Sequence, residues 1–488
     1  NNRNMKHAIL LLWHKDMEQL RNLIKLFDED FKFYIHIDKK SIVSEEEIRL
    51  LENNHQIASI YQKYRINWGG FNILKAELFL LQRIIKDGSC SYIHFMSGQD
   101  YPIKNLKTIK SFFEKHKGTE FIEYMSLPTK KWEQGTYDRF TYYRLNDKFD
   151  YNTQKGHKTI ERLIELQKQI GYKRRIPDQF KHLYGGSNWM SVTYECAKYV
   201  IENKRKHQCF YNRLKYTFAA DEVYFHTVIL NSTFADKVEN NNLRYILWDG
   251  NRSPRVLNET HWWNIITSNR LFARKLDNKT SAKLIKNINR YLLADEDIAI
   301  TPQGCWQSET LKGHCYDEGL ATGLLRLLPL MGVCSIADFG CGPGWYVALL
   351  QKQGYDVEGY DGNPNVEKMS SLLFSDGFHC QHANFTEELE AEEPFHLVMS
   401  LEVGEHIAAQ WEDVFINNLI RNTRKYIILS WATEEQYGDG HVNCHSNSYI
   451  IDKLHRQGFI LNHSASMYLR EQASRWWFKN TIMVFDRI

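Results

Sequence analysis

The 488-residue chain has no hydrophobic run long enough to cross a bilayer. A spanning helix needs roughly 20 consecutive apolar residues, whereas the first apolar stretch, Ala8 to Trp13, is short and no cleavage site follows it. The expectation is a cytoplasmic chain with at most peripheral contact at the inner membrane face. Residues 1–4, before Met5, read as a remnant foreign to the fold. Charge of one sign is also lacking. The net charge of only +3 argues against a dedicated nucleic-acid binder. The nine cysteines are scattered, odd in number and never paired at metal-ligand spacing, which suits a reducing compartment and excludes a disulfide framework. Internal repeats and low-complexity segments are absent. What is present is a large core: 43% hydrophobic and 14% aromatic residues exclude a disordered chain, and the length predicts more than one domain.

The stretch Ile336-Ala-Asp-Phe-Gly-Cys-Gly-Pro-Gly344, followed by Val357-Glu-Gly-Tyr-Asp361, organises the second half. It reads as strand, glycine-rich turn, helix over Trp345 to Gln353, and second strand ending in an acid. Gly340, Gly342 and Gly344 allow a tight turn and close approach to a ligand. Asp361 lies about 20 residues beyond the turn, where an acid can accept hydrogen bonds from two ribose hydroxyls. Asp338 closes the first strand. A nucleoside site at the carboxyl ends of parallel strands is expected. D-F-G-C-G-P-G resembles motif I of class I S-adenosylmethionine-dependent methyltransferases. That resemblance implies S-adenosylmethionine as cofactor, held by Asp338, Gly340, Gly342, Gly344 and Asp361, with Asn384 near the adenine and Glu402 beside the methyl donor.

Phe395 to Ser400 reads as a further strand opening into Glu402-Val-Gly-Glu405-His406. Two carboxylates and an imidazole at that spacing can ligate a divalent cation. The same E-x-x-E-H is similar to the motif of ubiquinone-biosynthesis O-methyltransferases and of small-RNA terminal 2′-O-methyltransferases. There it holds Mg2+ or Mn2+, and in the RNA enzymes a later histidine completes the set. His441, or else His445, is the candidate. The expected metal set is Glu402, Glu405, His406 and His441, with His406 and His441 also the catalytic residues of methyl transfer. The alternative, that Glu402 and His406 merely pack and cap the next helix, stays open. Helices at Tyr316 to Leu328, Trp411 to Asn422 and Ile450 to Gln457, a strand at Tyr426 to Trp431 and a closing strand at Trp476 to Phe485 complete an alternating α/β pattern.

The first half also alternates. Strands are expected at Lys6 to Trp13, Lys32 to Ile37, Ile57 to Tyr61, Tyr92 to Met96 and Glu120 to Tyr124. Helices are expected at Met17 to Phe27, Ile73 to Ile85 and Leu106 to His116. The segments H-A-I-L-L-L-W-H-K, Y-I-H-I-D-K-K-S, W-G-G-F-N-I-L-K-A-E-L, F-M-S-G-Q-D-Y-P-I-K, Y-G-G-S-N-W-M-S-V, A-D-E-V-Y-F-H-T-V and L-F-A-R-K-L-D fall in this order over residues 5–280. The succession resembles glycosyltransferase family 14, which holds the core-2/I-branching N-acetylglucosaminyltransferases and the peptide xylosyltransferases. Residues 128–180 carry no matching motif.

This resemblance implies a GT-A fold, a UDP-sugar donor and inverting, metal-independent transfer. Glu222 matches the catalytic base, with helix capping by Asp221 and Glu222 as the alternative. Lys275, with Arg252 or Arg255, would replace a metal on the diphosphate. Asp38 would meet the uracil edge. Trp68 and Gly69 belong to the donor-side loop. Asp100 either orients the sugar or caps the chain from Ile103 onward. Asp28-Glu29-Asp30 has metal-motif spacing but reads as a solvated turn. The acid that the family carries before F-A-R-K is replaced here by Asn258-Glu-Thr-His-Trp-Trp263, which leaves the transferred sugar open. Lys173-Arg-Arg175 reads either as plain surface or as an attraction for an anionic, lipid-linked acceptor.

A helix at Ser281 to Leu293 and a polar linker at Asp295 to Gly304 separate the halves. The expected architecture is α/β throughout: a GT-A-type domain over 1–297 and a class I, Rossmann-like methyltransferase domain over 298–488. The expected function is a bifunctional enzyme of bacterial-type surface-polysaccharide synthesis, adding a sugar to a glycan acceptor and O-methylating a sugar hydroxyl, with no nucleic-acid partner. The alternatives are an RNA or small-molecule O-methyltransferase with a non-catalytic first domain, or a chain in which one domain is a catalytically dead scaffold.

Overall fold

The computed structural model describes residues 5–129, 138–250, 253–295 and 299–488, and every count and absence below is of those residues. The chain packs into two compact α/β units, Asn1–Glu259 with Ser268–Ile285, and Thr260–Thr267 with Lys286–Ile488.

Strands of the first unit run His7–Trp13 (β1), Phe31–Ile37 (β2), Ile57–Tyr61 (β3), Tyr92–Ser97 (β4), Asp100–Pro102 (β5), Glu120–Phe121 (β6), Tyr124–Leu127 (β7), Leu183–Gly186 (β8), Ser191–Thr193 (β9), Val238–Glu239 (β10), Arg244–Ile246 (β11) and Phe272–Arg274 (β12). The main sheet is ordered β10-β6-β9-β4-β1-β2-β3. At its centre β1 pairs in parallel with β2 and β4. Helices cover both faces there, so His7 to Trp13 is a nearly unbroken buried apolar run rather than an alternating one. The helix Met17–Lys25 begins at Asp16, whose carboxylate accepts the Gln19 amide at 2.9 Å, and it buries Leu20, Leu23 and Ile24. The helix Asn72–Asp87 lays Leu74, Leu78, Leu81 and Ile84 into the core beside Phe95 and Val223. A small sheet β11-β12-β5 sets Arg274 opposite Asp100 and returns the chain to the carboxyl end of β4.

Two expectations for this unit need correction. The run Glu120 to Tyr124 splits: β6 stays in the main sheet, while β7 leaves it and pairs with β8. Asp28-Glu29-Asp30 is not a solvated turn. Asp30 is only 3% exposed and its carboxylate binds Lys6 at 2.5 Å and Lys110 at 2.8 Å, the latter also holding Asp28 at 2.6 Å. Burial raises the Asp30 carboxyl pKa, but the hydrogen bonds and charges of Lys110 and Lys6 outweigh it and hold the group below its ordinary value.

Strands of the second unit run Ser335–Phe339 (β13), Asp356–Asp361 (β14), Gln381–His382 (β15), Phe395–Leu401 (β16), Thr423–Ser430 (β17), Phe459–Leu461 (β18) and Met483–Arg487 (β19). Their order is β15-β14-β13-β16-β17-β19-β18. The first five are mutually parallel, and β19 lies antiparallel between β17 and β18. The order reverses direction between β13 and β16, and open α/β sheets bind ligands at the carboxyl ends of such a pair. The glycine-rich turn leaves β13 and E-x-x-E-H leaves β16, so strand pairing joins two motifs about 60 residues apart in sequence.

Here too the structure departs from expectation. Trp476–Thr481 is a helix that buries Phe478 and Thr481, three positions apart on one face, and only Met483–Arg487 is strand. The aromatic run favours a strand by propensity, but tertiary burial decides such short segments. The helix expected from Ser281 is α-helical over Ala282–Ile288 and ends in a π-turn, Asn289–Leu293. The segment expected as linker is structured from 299 onward. Ile300 pairs with Trp306, the Thr301 amide donates to the Cys305 carbonyl at 2.8 Å, and the Gln307 amide donates to that of Ala299 at 2.8 Å. No described helix is long and apolar enough to cross a membrane.

Candidate active sites

In the first unit the Trp68–Gly70 turn and the segment carrying Asp221 and Glu222 are packed together. Gly69 has φ +68°, and a Cβ there would lie 2.1 Å from the Phe218 ring. Its carbonyl accepts the Ala219 amide at 2.9 Å, and Trp68 meets Phe218 edge-on at 4.9 Å. Ala219 and Tyr216 both hold positive φ, a strained conformation for residues with side chains. The helix Asp221–Leu230 has no side-chain cap at Ala220; both acids lie in its first turn, where the Asp221 carboxylate takes backbone hydrogen bonds and Glu222 points to Arg139. The Glu222 carboxylate stays partly open to solvent and binds Arg139 Nη1 at 2.6 Å. Arg139 comes from the stretch that carries no family motif, and nothing in the sequence singled it out. Behind Glu222, Asp221 is buried, and burial followed by the Glu222 charge pushes its carboxyl up to about 7. Glu77 is buried too and held well above its ordinary value by burial, then by Asp221.

Asp38 follows β2 and is 5% exposed; one carboxylate oxygen accepts the amides of Lys40 at 2.9 Å and Ile66 at 3.0 Å. Asp100 is 1% exposed, accepts the Ser97 amide and pairs with Arg274 at 3.2 Å. It does not cap the following helix, whose cap is Asn105. Lys275 Nζ donates to Ser253 Oγ at 3.0 Å, and burial, then Arg274 and Lys15, lower its pKa. The field of Lys15, Arg274, Lys275 and Asp38 is felt by His14, the histidine after β1, whose pKa burial lowers first. Cationic groups therefore concentrate at the carboxyl edge of β1, β2 and β4. Arg255 is exposed, and Arg252 lies outside the described residues.

In the second unit Gly340, Gly342 and Gly344 all adopt positive φ. Gly342 shows why: its amide donates to Asp361 Oδ2 at 2.7 Å, and a Cβ there would stand 2.8 Å from His314 Nδ1. Asp361 Oδ1 accepts the Asn363 amide at 2.8 Å, and each of these oxygens keeps a second lone pair for a ribose hydroxyl. Asp338 is buried, and burial, then Asp361, push its carboxyl up to about 8. The Asn384 side chain is taken up locally by Thr386 and Glu387.

After β16, Glu402 sits at φ +56°, a strained conformation for a residue with a side chain. Its carboxylate meets Gln436 and Thr481, with Thr481 Oγ1 at 3.4 Å. Glu405 is fully buried; its carboxylate has no well-formed hydrogen bond but lies against the Glu402 carboxylate and the Ala432 backbone, and His406 Nδ1 likewise faces the Gly440 backbone. Ligand atoms of Glu405, His406 and His441 all lie within 4.8 Å of one another. Of the four expected metal ligands, these three bring ligand atoms together, and the Glu402 carboxylate lies beside Glu405. His441 Nδ1–H donates to the Gln436 carbonyl at 2.9 Å, which leaves Nε2 as the lone-pair nitrogen. His445 is committed elsewhere, bonded to Glu412 at 2.8 Å and stacked on Tyr449. Burial, then His441, lower His406 to about 4, keeping it neutral. Burial, then Glu402, hold Glu405 well above the carboxylate range. A carboxylate and two imidazoles this close together form a donor set that a divalent cation would fit. Helix capping does not explain the motif, because the next helix, Glu412–Arg421, has no side-chain cap. The hairpin 299–307 adds residues the sequence did not mark: Trp306 meets His406 edge-on at 5.7 Å and lies tilted against His314 at 5.0 Å.

Comparison with known proteins finds two families along the chain. Residues 8–272 match the Core-2/I-Branching enzyme family and residues 277–427 match a methyltransferase domain. A xylosyltransferase of Caenorhabditis briggsae is 24% identical over 249 residues, 49% of this chain and 28% of that protein. Xylosyltransferase 2 of Rattus norvegicus is 24% identical over 251 residues, 50% of this chain and 26% of that protein. The chain thus spans only about a quarter of these relatives' length. Among solved structures, a sugar N-methyltransferase from Streptoalloteichus is 14% identical, with 36% of this chain and 90% of that one covered at a TM-score of 0.30, too low to argue from. Over more than half of its length the chain belongs to the Core-2/I-Branching enzyme family, a glycosyltransferase domain of GT-A-like α/β fold, and it carries behind that a Rossmann-like methyltransferase domain.

Proposed function

We propose that the chain is a bifunctional glycan-building enzyme. The first domain transfers a sugar from a UDP-sugar to a glycan hydroxyl with inversion, and the second O-methylates a sugar hydroxyl using S-adenosylmethionine. The domains divide near residue 297. In the first site Glu222 takes the proton from the attacking hydroxyl, while Arg139 orients its carboxylate. Lys275, with Arg252 or Arg255, faces the departing diphosphate without a metal, supported by the cationic edge around Arg274. Asp38 takes the uracil edge, Asp100 holds Arg274 in place, and Trp68 and Gly69 shape the donor wall.

In the second site the glycine turn and Asp361 cradle S-adenosylmethionine, with Asp338 behind them and Asn384 on the adenine side. The cofactor supplies an electrophilic methyl group. Glu405, His406 and His441 would hold Mg2+ or Mn2+, whose charge would lower the pKa of a sugar hydroxyl. Glu402 shapes the wall beside them and bonds Gln436, the residue whose carbonyl sets the His441 tautomer. The observation that carries this reading is the convergence of ligand atoms of Glu405, His406 and His441 within 4.8 Å of one another, after the strand next to the glycine turn's own. The exposed carboxylates Glu434, Glu435 and Asp439, on the loop leading to His441, disfavour a polyanionic RNA acceptor and favour a neutral polyol. The glycan acceptor, soluble or lipid-linked, and a place in polysaccharide synthesis at the cytoplasmic membrane face complete the proposal.

The test is a panel of UDP-sugars and S-adenosylhomocysteine titrated by calorimetry into the full chain. Heats from one UDP-sugar and from the demethylated cofactor are expected at independent sites. Glu222→Gln should impair sugar transfer alone, and Asp361→Ala cofactor binding and methyl transfer alone. No binding of any UDP-sugar refutes the first half, and tight, salt-sensitive RNA binding refutes the choice of acceptor.

A further inference from the structure

His441 belongs to no helix or strand; residues 433–446 form a loop between β17 and the helix Asn447–His455. A ligand on such a segment is placed only as well as the contacts that pin the segment. One buried side chain ties the end of this loop to the helix that follows it. Glu412, the first residue of the helix Glu412–Arg421, is 4% exposed. Its Oε2 accepts Asn443 Nδ2 at 2.9 Å and meets His445 Nε2 at 2.8 Å. Its Oε1 accepts the Tyr449 hydroxyl at 2.8 Å and the Lys453 ammonium. A carboxylate offers about four lone-pair directions, so Glu412 is saturated by these donors and ligates nothing.

The donors are not scattered. Asn443 and His445 lie two and four positions after His441, and Tyr449 supports His445 by stacking at 3.9 Å. The clamp is continuous with the other ligands. The amides of Val442 and Asn443 both donate to the Glu405 carbonyl, at 2.8 and 3.0 Å. The Asn443 carbonyl accepts Trp431 Nε1 at 2.7 Å, and that indole packs against Gly404, the residue before Glu405. A shift of Asn443 therefore moves His441 on one side and loosens the Glu405 turn on the other.

We propose that Glu412 is a positioning residue that clamps the His441 loop onto the Glu405–His406 turn, so that this non-ligating carboxylate sets the divalent-cation affinity of the methyltransferase site. The inference rests on the cation reading of Glu405, His406 and His441.

The experiment titrates Mn2+ into the full chain, reading free Mn2+ by electron paramagnetic resonance, and titrates S-adenosylhomocysteine by calorimetry. Glu412→Gln turns an amide N–H2 toward groups that are themselves donors. Mn2+ affinity is expected to fall about 10- to 100-fold, the usual cost of losing a partner behind a metal ligand, with S-adenosylhomocysteine affinity within about twofold of wild type. Asn443→Ala removes a single donor and gives the same reading, by a smaller factor, if Glu412→Gln does not fold. Folded variants that bind Mn2+ as the wild type does overturn the inference alone. So does a loss of cofactor affinity in step with Mn2+ affinity, because that marks general loosening. A wild-type chain that binds no Mn2+ overturns the cation reading itself, and this inference with it.

Discussion

Gly404→Ala puts the packing behind the cation group to a quantitative test. Gly404 is buried between the two acids of E-x-x-E-H. A Cβ there would lie 2.2, 2.3 and 2.3 Å from three atoms of the Trp431 ring, which is fully buried. Gly404 is not among the positive-φ residues, so the substitution adds overlap without backbone strain. Overpacking a core by one methyl costs about 1–3 kcal/mol. Here three atoms of a rigid, enclosed ring oppose the methyl, so about 3 kcal/mol applies. For a unit of this size each kcal/mol moves Tm by roughly 2–4 °C, giving a drop of about 6–12 °C. Gly354→Ala is the matched control: it has φ +88° and nothing within 4 Å of a built Cβ, so it adds only left-handed strain of about 1 kcal/mol. Scanning calorimetry of the full chain, with and without S-adenosylhomocysteine, identifies the second unit's transition as the one the ligand raises. Gly404→Ala should melt below Gly354→Ala and lose Mn2+ affinity, while Gly354→Ala keeps it. Equal melting of the two variants, or Mn2+ binding unchanged in Gly404→Ala, would refute the argument.

Other outcomes follow from the same geometry. Glu222→Gln should lower sugar transfer about 10²- to 10⁴-fold, the range for loss of a general base, with UDP binding by calorimetry unchanged; a smaller loss would remove Glu222 from the chemistry. Asp361→Ala deletes the partner of the Gly342 and Asn363 amides. At roughly 1.5–3 kcal/mol for a hydrogen bond to a charged group, S-adenosylhomocysteine should bind about 10- to 150-fold more weakly. The Glu412 carboxyl gives a pH signature. Burial raises its pKa, but the bonds from Lys453, Asn443, Tyr449 and His445 outweigh that and bring it from 4.5 to about 2. A depressed folded pKa means stability that is complete above the unfolded value and lost as pH falls through the folded one. The stability gap between wild type and Glu412→Gln, read by urea unfolding, should hold constant above about pH 5, narrow below 4.5 and close near 2. A gap that persists at pH 2 would contradict it.

Much of this protein was legible as local pattern. The glycine turn, the acid ending β14 and the apolar strands β1, β2 and β4 each follow from a few adjacent residues, because backbone conformation and burial period are local properties. Local reading failed where partners lie far apart. Asp28-Glu29-Asp30 looks solvated until Lys6 and Lys110 are brought against it. Trp476–Thr481 has strand composition but is helical, since Phe478 and Thr481 find the core on one helical face. The polar residues after 299 look like a linker, yet they fold back so that Trp306 touches His406.

The amino-acid order by itself determined two α/β domains, their families and the chemistry-bearing motifs, because each rests on residue types at short spacing. Only the tertiary structure decided which groups act together. It joined E-x-x-E-H to the glycine turn through the pairing of β13 with β16, drew ligand atoms of Glu405, His406 and His441 together while bonding His445 to Glu412, and placed Arg139 on Glu222. The physical reason is that strand pairing and the partners of buried charges are contacts between distant segments, and spacing along the chain carries no record of them.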